Sequence, residues 1–182
     1  MVSRRIILVR HAQAMTRDRV RWPNDENRPL APEGMREFER ATRGLTLLLD
    51  GKGKIVSSPC TRARQTADIL RSAWPRGGAP ALWKELSPDT SPSLLIHRLE
   101  KERVKGDLVL FGHEPHLSRF VGLAVSGEPL SAVKFYKGGA VAIEFAQRPR
   151  PGGARILWAL SRRQLMMLGK KRRPRKHGGH QD

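Results

Sequence analysis

Residues 6–9 form an uninterrupted aliphatic run with arginines on both sides. Such a run is typical of a short strand buried on both faces, and strands of that kind belong to parallel sheets covered by helices. Open α/β sheets bind their ligands beyond the carboxyl ends of the strands. Arg10 and His11 occupy that position; they offer a rigid fork of donors and, when neutral, a nucleophilic imidazole. Two polar residues at a strand end are also compatible with simple exposure to water, so their interpretation depends on the rest of the chain.

Short apolar strands alternate along the chain with segments of helical periodicity. We predict further strands at residues 55–58, 81–83, 107–112, 140–145 and 155–160. Four helices are predicted: one from Pro32 to a stop at Gly51, one over residues 61–73, one capped by Ser91 with Leu94, Leu95, Leu99 and Val104 on its buried face, and one over residues 115–126. This alternation predicts an α/β fold of three layers, with a mostly parallel central sheet and helices on both faces.

The positive charge of the chain is concentrated at its carboxyl end. The 182 residues are enough for one domain with a sizeable core, and their net charge is +18. Residues 145–182 hold eleven Lys and Arg and one acid, so the other 24 bases and 16 acids leave residues 1–144 at +8. Residues 169–182 contain no apolar side chain to bury and are expected to be disordered alone. We predict one domain over residues 1–168 and a basic tail over residues 169–182.

Cysteine usage and the amino-terminal sequence bear on the compartment. A single cysteine excludes an internal disulfide and indicates a reducing compartment. The apolar run at residues 6–9 is too short for the core of a signal peptide or for a membrane span. We therefore expect a cytoplasmic protein without a membrane span.

Three predicted strands are followed by residues suited to a phosphoryl group. Arg10 and His11 follow the first strand, Arg62 comes just after the second, and His113 follows the strand at residues 107–112. Parallel strands share their carboxyl edge, so we expect these side chains to converge. Arg62 also belongs to the first turn of a helix, where free N–H groups favour an anion. Converging cations repel one another unless an anion lies between them, so the sequence predicts a phosphate site at this edge.

The same segments resemble the signature motifs of a known family. Leu-Val-Arg-His at residues 8–11, Ser-Ser-Pro-Cys-Thr-Arg-Ala-Arg-Gln-Thr at 57–66 and Leu-Phe-Gly-His-Glu-Pro at 110–115 are similar, in this order, to those of the histidine phosphatase superfamily. The resemblance covers residues 4–168 and implies the phosphoglycerate-mutase-like fold. Ala12 stands where the family usually has glycine, although alanine also occurs there in its phosphohistidine phosphatase branch.

Within the superfamily the chain resembles the SixA-type phosphohistidine phosphatases. Arg62 and His113 are only 51 positions apart (113 − 62), whereas mutases and acid phosphatases carry a long insertion there that roofs the site. Without such a roof, a phosphate carried by a protein could reach the catalytic edge. Four further segments are similar to the SixA type: residues 28–34, 85–88, 136–139 and 158–161.

The resemblance implies a role for each candidate residue. His11 would be the nucleophile that becomes phosphorylated, while Arg10, Arg62 and His113 would bind the phosphoryl oxygens and stabilise the transition state, without a metal or cofactor. Arg28 matches a position that can approach the phosphate; the alternative is that it pairs with Asp25 or Glu26 at the surface. Glu85 is the best placed candidate for a general acid; the alternative is that it is a surface carboxylate with no catalytic role. An alcohol leaving group needs such an acid, whereas phosphohistidine does not.

Three functional hypotheses follow. The first is a phosphohistidine phosphatase acting on a phosphocarrier or phosphotransfer protein in signal transduction. The second is a phosphomonoesterase for a sugar or nucleotide phosphate. The third is a non-catalytic phosphate- or RNA-binding module that acts through the basic tail. The tail either contacts polyanions nonspecifically or only solubilises the chain.

Overall fold

The computed structural model describes residues 4–103, 105–131 and 133–170. The expectations for Val104 and for the tail beyond Lys170 lie outside these residues. None of the described helices is long and apolar enough to cross a membrane.

A six-stranded sheet forms the centre of the domain, in the order β3-β2-β4-β1-β5-β6. Only β5 runs against its neighbours, while β1, β2, β3 and β4 pair in parallel. The predicted mostly parallel sheet is therefore confirmed. The strands are β1 (Arg4–Arg10), β2 (Gly53–Ser57), β3 (Ala81–Leu82), β4 (Asp107–Gly112), β5 (Ala140–Phe145) and β6 (Ala154–Leu160).

Helices cover both faces of the sheet, as the three-layer prediction requires. One face carries α3 and α4, and the other carries α1, α2 and α5. The helices are α1 (Pro32–Thr46), α2 (Thr61–Ala73), α3 (Pro92–Lys101), α4 (His116–Ser126) and α5 (Arg162–Leu168). Side chains of β1 alternate between the two cores: Ile6 and Leu8 pack under α3 and α4, and Ile7 and Val9 pack under the other three helices.

Three details of the helices differ from the predictions. α1 ends at Thr46 rather than at Gly51. Leu94, expected on the buried face of α3, is 50% exposed because it lies in the first turn, away from the sheet. α5 was not predicted, although Ser161 and Gln164 form a capping box at its start. Its seven residues are too few for a clear helical period.

Strand register brings the candidate site residues to one edge. Arg10 on β1 pairs with Gly112 on β4, so His11 and His113 leave adjacent parallel strands at the same level. On the other side of β4, Ser57 of β2 pairs with Phe111. The reversed direction of β5 brings the segment before it to the same edge, where the N–H of Gly138 donates to the carbonyl oxygens of Arg10 and His11. Gly138 has φ +71°, a conformation that L side chains rarely adopt.

Candidate active site

His11 follows β1 directly and is 8% exposed. Its Nδ1 lies 2.7 Å from the carbonyl oxygen of Ala12. Because a carbonyl oxygen only accepts, Nδ1 carries the ring proton and donates it, and Nε2 keeps its lone pair. Burial, together with the charges of Arg62 and Arg10, lowers the pKa of His11 to about 3. The imidazole is therefore neutral at pH 7, with Nε2 in the state that a nucleophile needs.

His113 follows β4, and its ring centroid lies 5.1 Å from that of His11. Burial, followed by the neighbouring His11 and Arg62, lowers the pKa of His113 to about 2. Its Nε2 lies 2.9 Å from the hydroxyl oxygen of Ser58. Among the described residues, Nδ1 of His113 is buried without a hydrogen-bond partner. When the Ser58 hydroxyl donates to Nε2, the proton of this neutral ring is on Nδ1, where it can be donated to an oxyanion.

Two arginines are held near these rings through one end of each guanidinium. Nη1 of Arg10 donates to the carbonyl oxygen of Phe135 at 2.8 Å, and Nη1 of Arg62 donates to that of Asp25 at 2.7 Å. Burial lowers the pKa of both guanidinium groups, and they keep their charge at neutral pH. Within the described part of the chain, the Nε atoms of both are buried without a partner. Each arginine is thus fixed by the backbone through Nη1 at the wall of one cavity.

Asp25 connects three arginines at one side of the site. It opens a short 3-10 helix over Asp25–Asn27. Its carboxylate accepts from Nε of Arg28 at 2.8 Å and lies 3.3 Å from both Nε of Arg17 and Nη1 of Arg62. The hydrogen bond from Arg28 is the main cause that holds the pKa of Asp25 well below its ordinary value. Arg28 is therefore paired with Asp25, the alternative considered from the sequence, and this pairing joins it to Arg62.

One cavity of about 940 Å³ is bordered by both histidines, by Asp25 and by the four arginines. Five of the predicted site residues line it together: Arg10, His11, Arg28, Arg62 and His113. After burial, Coulomb repulsion from Arg10 and Arg62 contributes to lowering the pKa of His11 and of His113. A phosphoryl group placed among these cations and neutral ring donors would relieve the repulsion, because it supplies the opposite charge.

Glu85 is the one predicted site residue that the structure does not bring to this cavity. It belongs to a 3-10 helix over Lys84–Leu86, in which Leu86 is fully buried. Glu85 lines a different cavity together with His97 and Arg98. The residues that continue from this helix toward the candidate site are Ser87, Pro88 and Asp89.

A different carboxylate, Glu114, does line the candidate site. Its Oε1 accepts from the backbone N–H of Ser118, in the first turn of α4, at 3.1 Å. Burial raises the pKa of Glu114, although the hydrogen bonds from Ser118 and the charge of Arg10 oppose the shift. Glu114 is thus the lining carboxylate whose surroundings favour the protonated form.

Comparison with known proteins identifies the family. The sequence model of the histidine phosphatase superfamily (branch 1) matches residues 6–87. An uncharacterized protein of Picosynechococcus sp. is 32% identical over 142 residues, which cover 76% of this chain and 81% of the relative. The chain belongs to the histidine phosphatase superfamily. This membership supports a phosphoryl hydrolase activity.

Solved structures share the fold of this superfamily member. The protein histidine phosphatase SixA complexed with tungstate has a TM-score of 0.76 at 20% identity, covering 88% of this chain and 99% of the other. A putative phosphohistidine phosphatase SixA from Agrobacterium tumefaciens has a TM-score of 0.67 at 20% identity, with the same coverage of 88% and 99%. A phosphoserine phosphatase mutant from Entamoeba histolytica has a TM-score of 0.62 at 15% identity, covering 88% and 98%. At these identities the likeness concerns the fold, which is phosphoglycerate-mutase-like.

Sequence reasoning missed two contributors to the site of this superfamily member. Ser58 was noted only as part of a motif, yet it contacts His113. Asp25 was considered only as a surface partner of Arg28, yet it also contacts Arg62. A signal for Ser58 was present, because it is the last residue of a predicted strand. Asp25 lies in an irregular loop whose path no periodicity describes. Within residues 4–103, 105–131 and 133–170, no group of three or more His, Cys, Asp or Glu could hold a metal ion.

Proposed function

We propose that this chain is a phosphatase with His11 as its nucleophile, and that it hydrolyses phosphohistidine on a phosphocarrier or phosphotransfer protein. One observation carries the proposal: the hydrogen bond from Nδ1 of His11 to the Ala12 carbonyl leaves Nε2 unprotonated in a cationic cavity. The likeness to SixA phosphatases supports phosphohistidine as the substrate class.

The first step transfers the phosphoryl group to the enzyme. Nε2 of His11 attacks phosphorus in line with the bond to the substrate nitrogen. The new P–Nε2 bond forms as the old P–N bond breaks, and the substrate ring leaves as a neutral imidazole because its second nitrogen already carries a proton. The Ala12 carbonyl keeps accepting from Nδ1 and so stabilises the phosphorylated, positively charged ring.

The second step returns the enzyme to its starting state. Water attacks the phosphorus, the P–Nε2 bond breaks, and inorganic phosphate leaves with the protons of the water molecule. In both steps Arg10, Arg62 and His113 donate to the equatorial oxygens and stabilise the charge that develops there. Loss of one such donor is expected to lower kcat by about 10²- to 10³-fold.

Phosphohistidine and phosphate esters differ in whether their hydrolysis needs a general acid. An alkoxide leaving group needs a proton donor, whereas an imidazole does not. Glu85, the donor expected from the sequence, lines another cavity, and this favours phosphohistidine. A second candidate function, a small-molecule phosphomonoesterase, is favoured by Glu114, because burial raises its pKa inside the cavity.

A substrate panel tests the proposal. Initial rates are compared for a phosphohistidine protein, sugar and nucleotide phosphates and an aryl phosphate, with His11→Ala as the inactive control. We expect the highest kcat/KM for phosphohistidine, and base-stable phosphate label on the wild type but not on His11→Ala after an alkaline quench. If kcat/KM is higher for any ester than for phosphohistidine, and Glu114→Gln lowers it, the protein is a phosphomonoesterase instead.

The proposal also includes conditions of action. We propose that the reaction needs no metal or cofactor, because the cations of the cavity supply the electrostatic stabilisation; full activity in a chelator is the expected result. A cytoplasmic location and nonspecific contact of the tail with polyanions remain predictions. Loss of salt-dependent RNA retention after deletion of residues 169–182 would support that contact.

A further inference from the structure

A second cavity of about 700 Å³ adjoins the candidate active site. Arg10, Gln13 and Lys137 line both cavities, so the two spaces adjoin at these side chains. At their boundary, Nζ of Lys137 donates to Oε1 of Gln13 at 2.7 Å. The second cavity extends from this boundary to Lys134 and to Arg163 in α5. A substrate bound at His11 therefore has space to continue in this direction.

The second cavity is positively charged along its length. Lys134, Lys137, Arg162 and Arg163 line it in addition to Arg10, and no Asp or Glu is among its described lining residues. An ion pair with Glu37, from α1, neutralises Arg162. Burial, followed by the charges of Arg10 and Arg28, lowers the pKa of Lys137.

The arrangement of the cations identifies the chemistry of the occupant. Lys134, Lys137 and Arg163 are exposed; the two lysines lie in the segment between α4 and β5, and Arg163 lies in α5. Lys134 covers the ring of Tyr136 at 5.2 Å, and that ring is 53% exposed. A compact dianion needs convergent and pre-oriented donors, as the candidate active site has. Separate cations along an open wall instead suit single carboxylates spaced along a chain.

We propose that this second cavity, called here the basic annex, binds an acidic segment of the protein substrate beside its phosphorylated histidine. The inference rests on the proposed function and adds a substrate class to it: phosphohistidine proteins with carboxylates near the modified residue. Lys134 and Arg163 contact those carboxylates, Lys137 bridges the annex and the phosphate site, and the exposed face of Tyr136 packs against the intervening chain.

Two matched phosphohistidine peptides test the annex. One carries glutamates on both sides of the phosphohistidine, and the other carries glutamines at the same positions. We expect wild-type kcat/KM to be about tenfold higher for the glutamate peptide at low ionic strength, from a few exposed ion pairs. This preference should diminish as salt is added, because exposed charges are screened.

Substitutions test whether the preference for the glutamate peptide depends on the residues of the basic annex. The double variant Lys134→Gln with Arg163→Gln should reduce the tenfold preference to about twofold or less. The control Arg71→Gln with Lys105→Gln removes the same charge from exposed residues at the end of α2 and just before β4, at the opposite edge of the sheet. The control should keep the preference, whereas a general effect of net charge would reduce it equally in both double variants.

The outcomes separate this inference from the proposed function. Equal kcat/KM for the two peptides, or a preference that the annex variant retains, overturns the annex while the phosphatase stands. Absence of His11-dependent turnover of both peptides overturns the proposed function. In that event, anisotropy of the labelled peptides on the His11→Ala protein decides the annex: tighter binding of the glutamate peptide, lost with Lys134→Gln and Arg163→Gln, supports it, and equal binding overturns it.

Discussion

Three buried histidines are expected to make the stability of this domain fall as the pH decreases. His11, His113 and His116 are 8%, 2% and 2% exposed. Burial lowers the pKa of His116 to about 4, and the pKa values of His11 and His113 are about 3 and about 2. In the unfolded chain the ordinary pKa is about 6.5. Between these values the unfolded state binds more protons, so the free energy of unfolding decreases as the pH falls.

The magnitude follows from the two pKa values. On going from about pH 7.5 to about pH 5, each histidine that stays neutral in the fold and titrates near pH 6.5 when unfolded lowers the free energy of unfolding by about 2 kcal/mol. Three such residues give about 6 kcal/mol, which is comparable with the whole stability of a typical domain. The raised pKa of Glu114 acts in the opposite direction.

His116→Leu isolates one of these contributions. His116 opens α4 and lies outside the lining of the candidate active site. Urea denaturation of wild type and variant is measured at about pH 7.5, 6 and 5 in phosphate-free buffer. Between the extremes, the variant should lose about 2 kcal/mol less stability than wild type. His116→Gln, which also cannot titrate, should show the same shallower slope. Parallel curves for wild type and both variants would refute the reasoning.

Three further substitutions test named contacts. Ser58→Ala removes the hydrogen-bond partner of His113 Nε2 and should lower kcat about tenfold, the effect of one buried hydrogen bond. Ser58→Thr should restore part of the activity, and an unchanged kcat in Ser58→Ala would contradict the role of Ser58 in orienting His113. Asp25→Asn removes an anion 3.3 Å from Arg62, so the competitive Ki of inorganic phosphate should decrease about fivefold; a larger Ki would show that Asp25 mainly orients the arginine. Asp107→Ala removes a carboxylate that is 2% exposed and deprives Arg5 of this partner. It should cost about 3–5 kcal/mol in urea denaturation, a result that a loss below about 1 kcal/mol would contradict.

The sheet could be predicted because buried parallel strands have a strong sequence signal. The bounds of β4 and β5 agree with the predicted residues 107–112 and 140–145, since each contains four consecutive apolar residues, 108–111 and 140–143. The common edge of β1, β2 and β4 then follows from their parallel pairing. For this reason the sequence alone is sufficient to group His11, Arg62 and His113.

The irregular segments could not be predicted in the same way. The loop over residues 12–31 returns toward the site and brings Asp25 against Arg62, but its course depends on tertiary contacts rather than on periodicity. Glu85 was assigned from its position after a strand, and the direction of its side chain depends on the burial of Leu86. Short 3-10 helices of this kind have too few residues for an amphipathic pattern.

Because β5 alone is antiparallel, the two sides of the phosphate site differ in how much sequence change they tolerate. Arg10, His11 and His113 leave strands whose ends are fixed by neighbours on both sides. The segment between α4 and β5 reaches the same edge before β5 begins. It contacts Arg10 and His11 through the N–H of Gly138 and contacts Arg10 through the carbonyl oxygen of Phe135. The length and charge of this segment can therefore change while Arg10, His11 and His113 keep their positions. Substitutions here can alter the substrate preference without changing the catalytic residues.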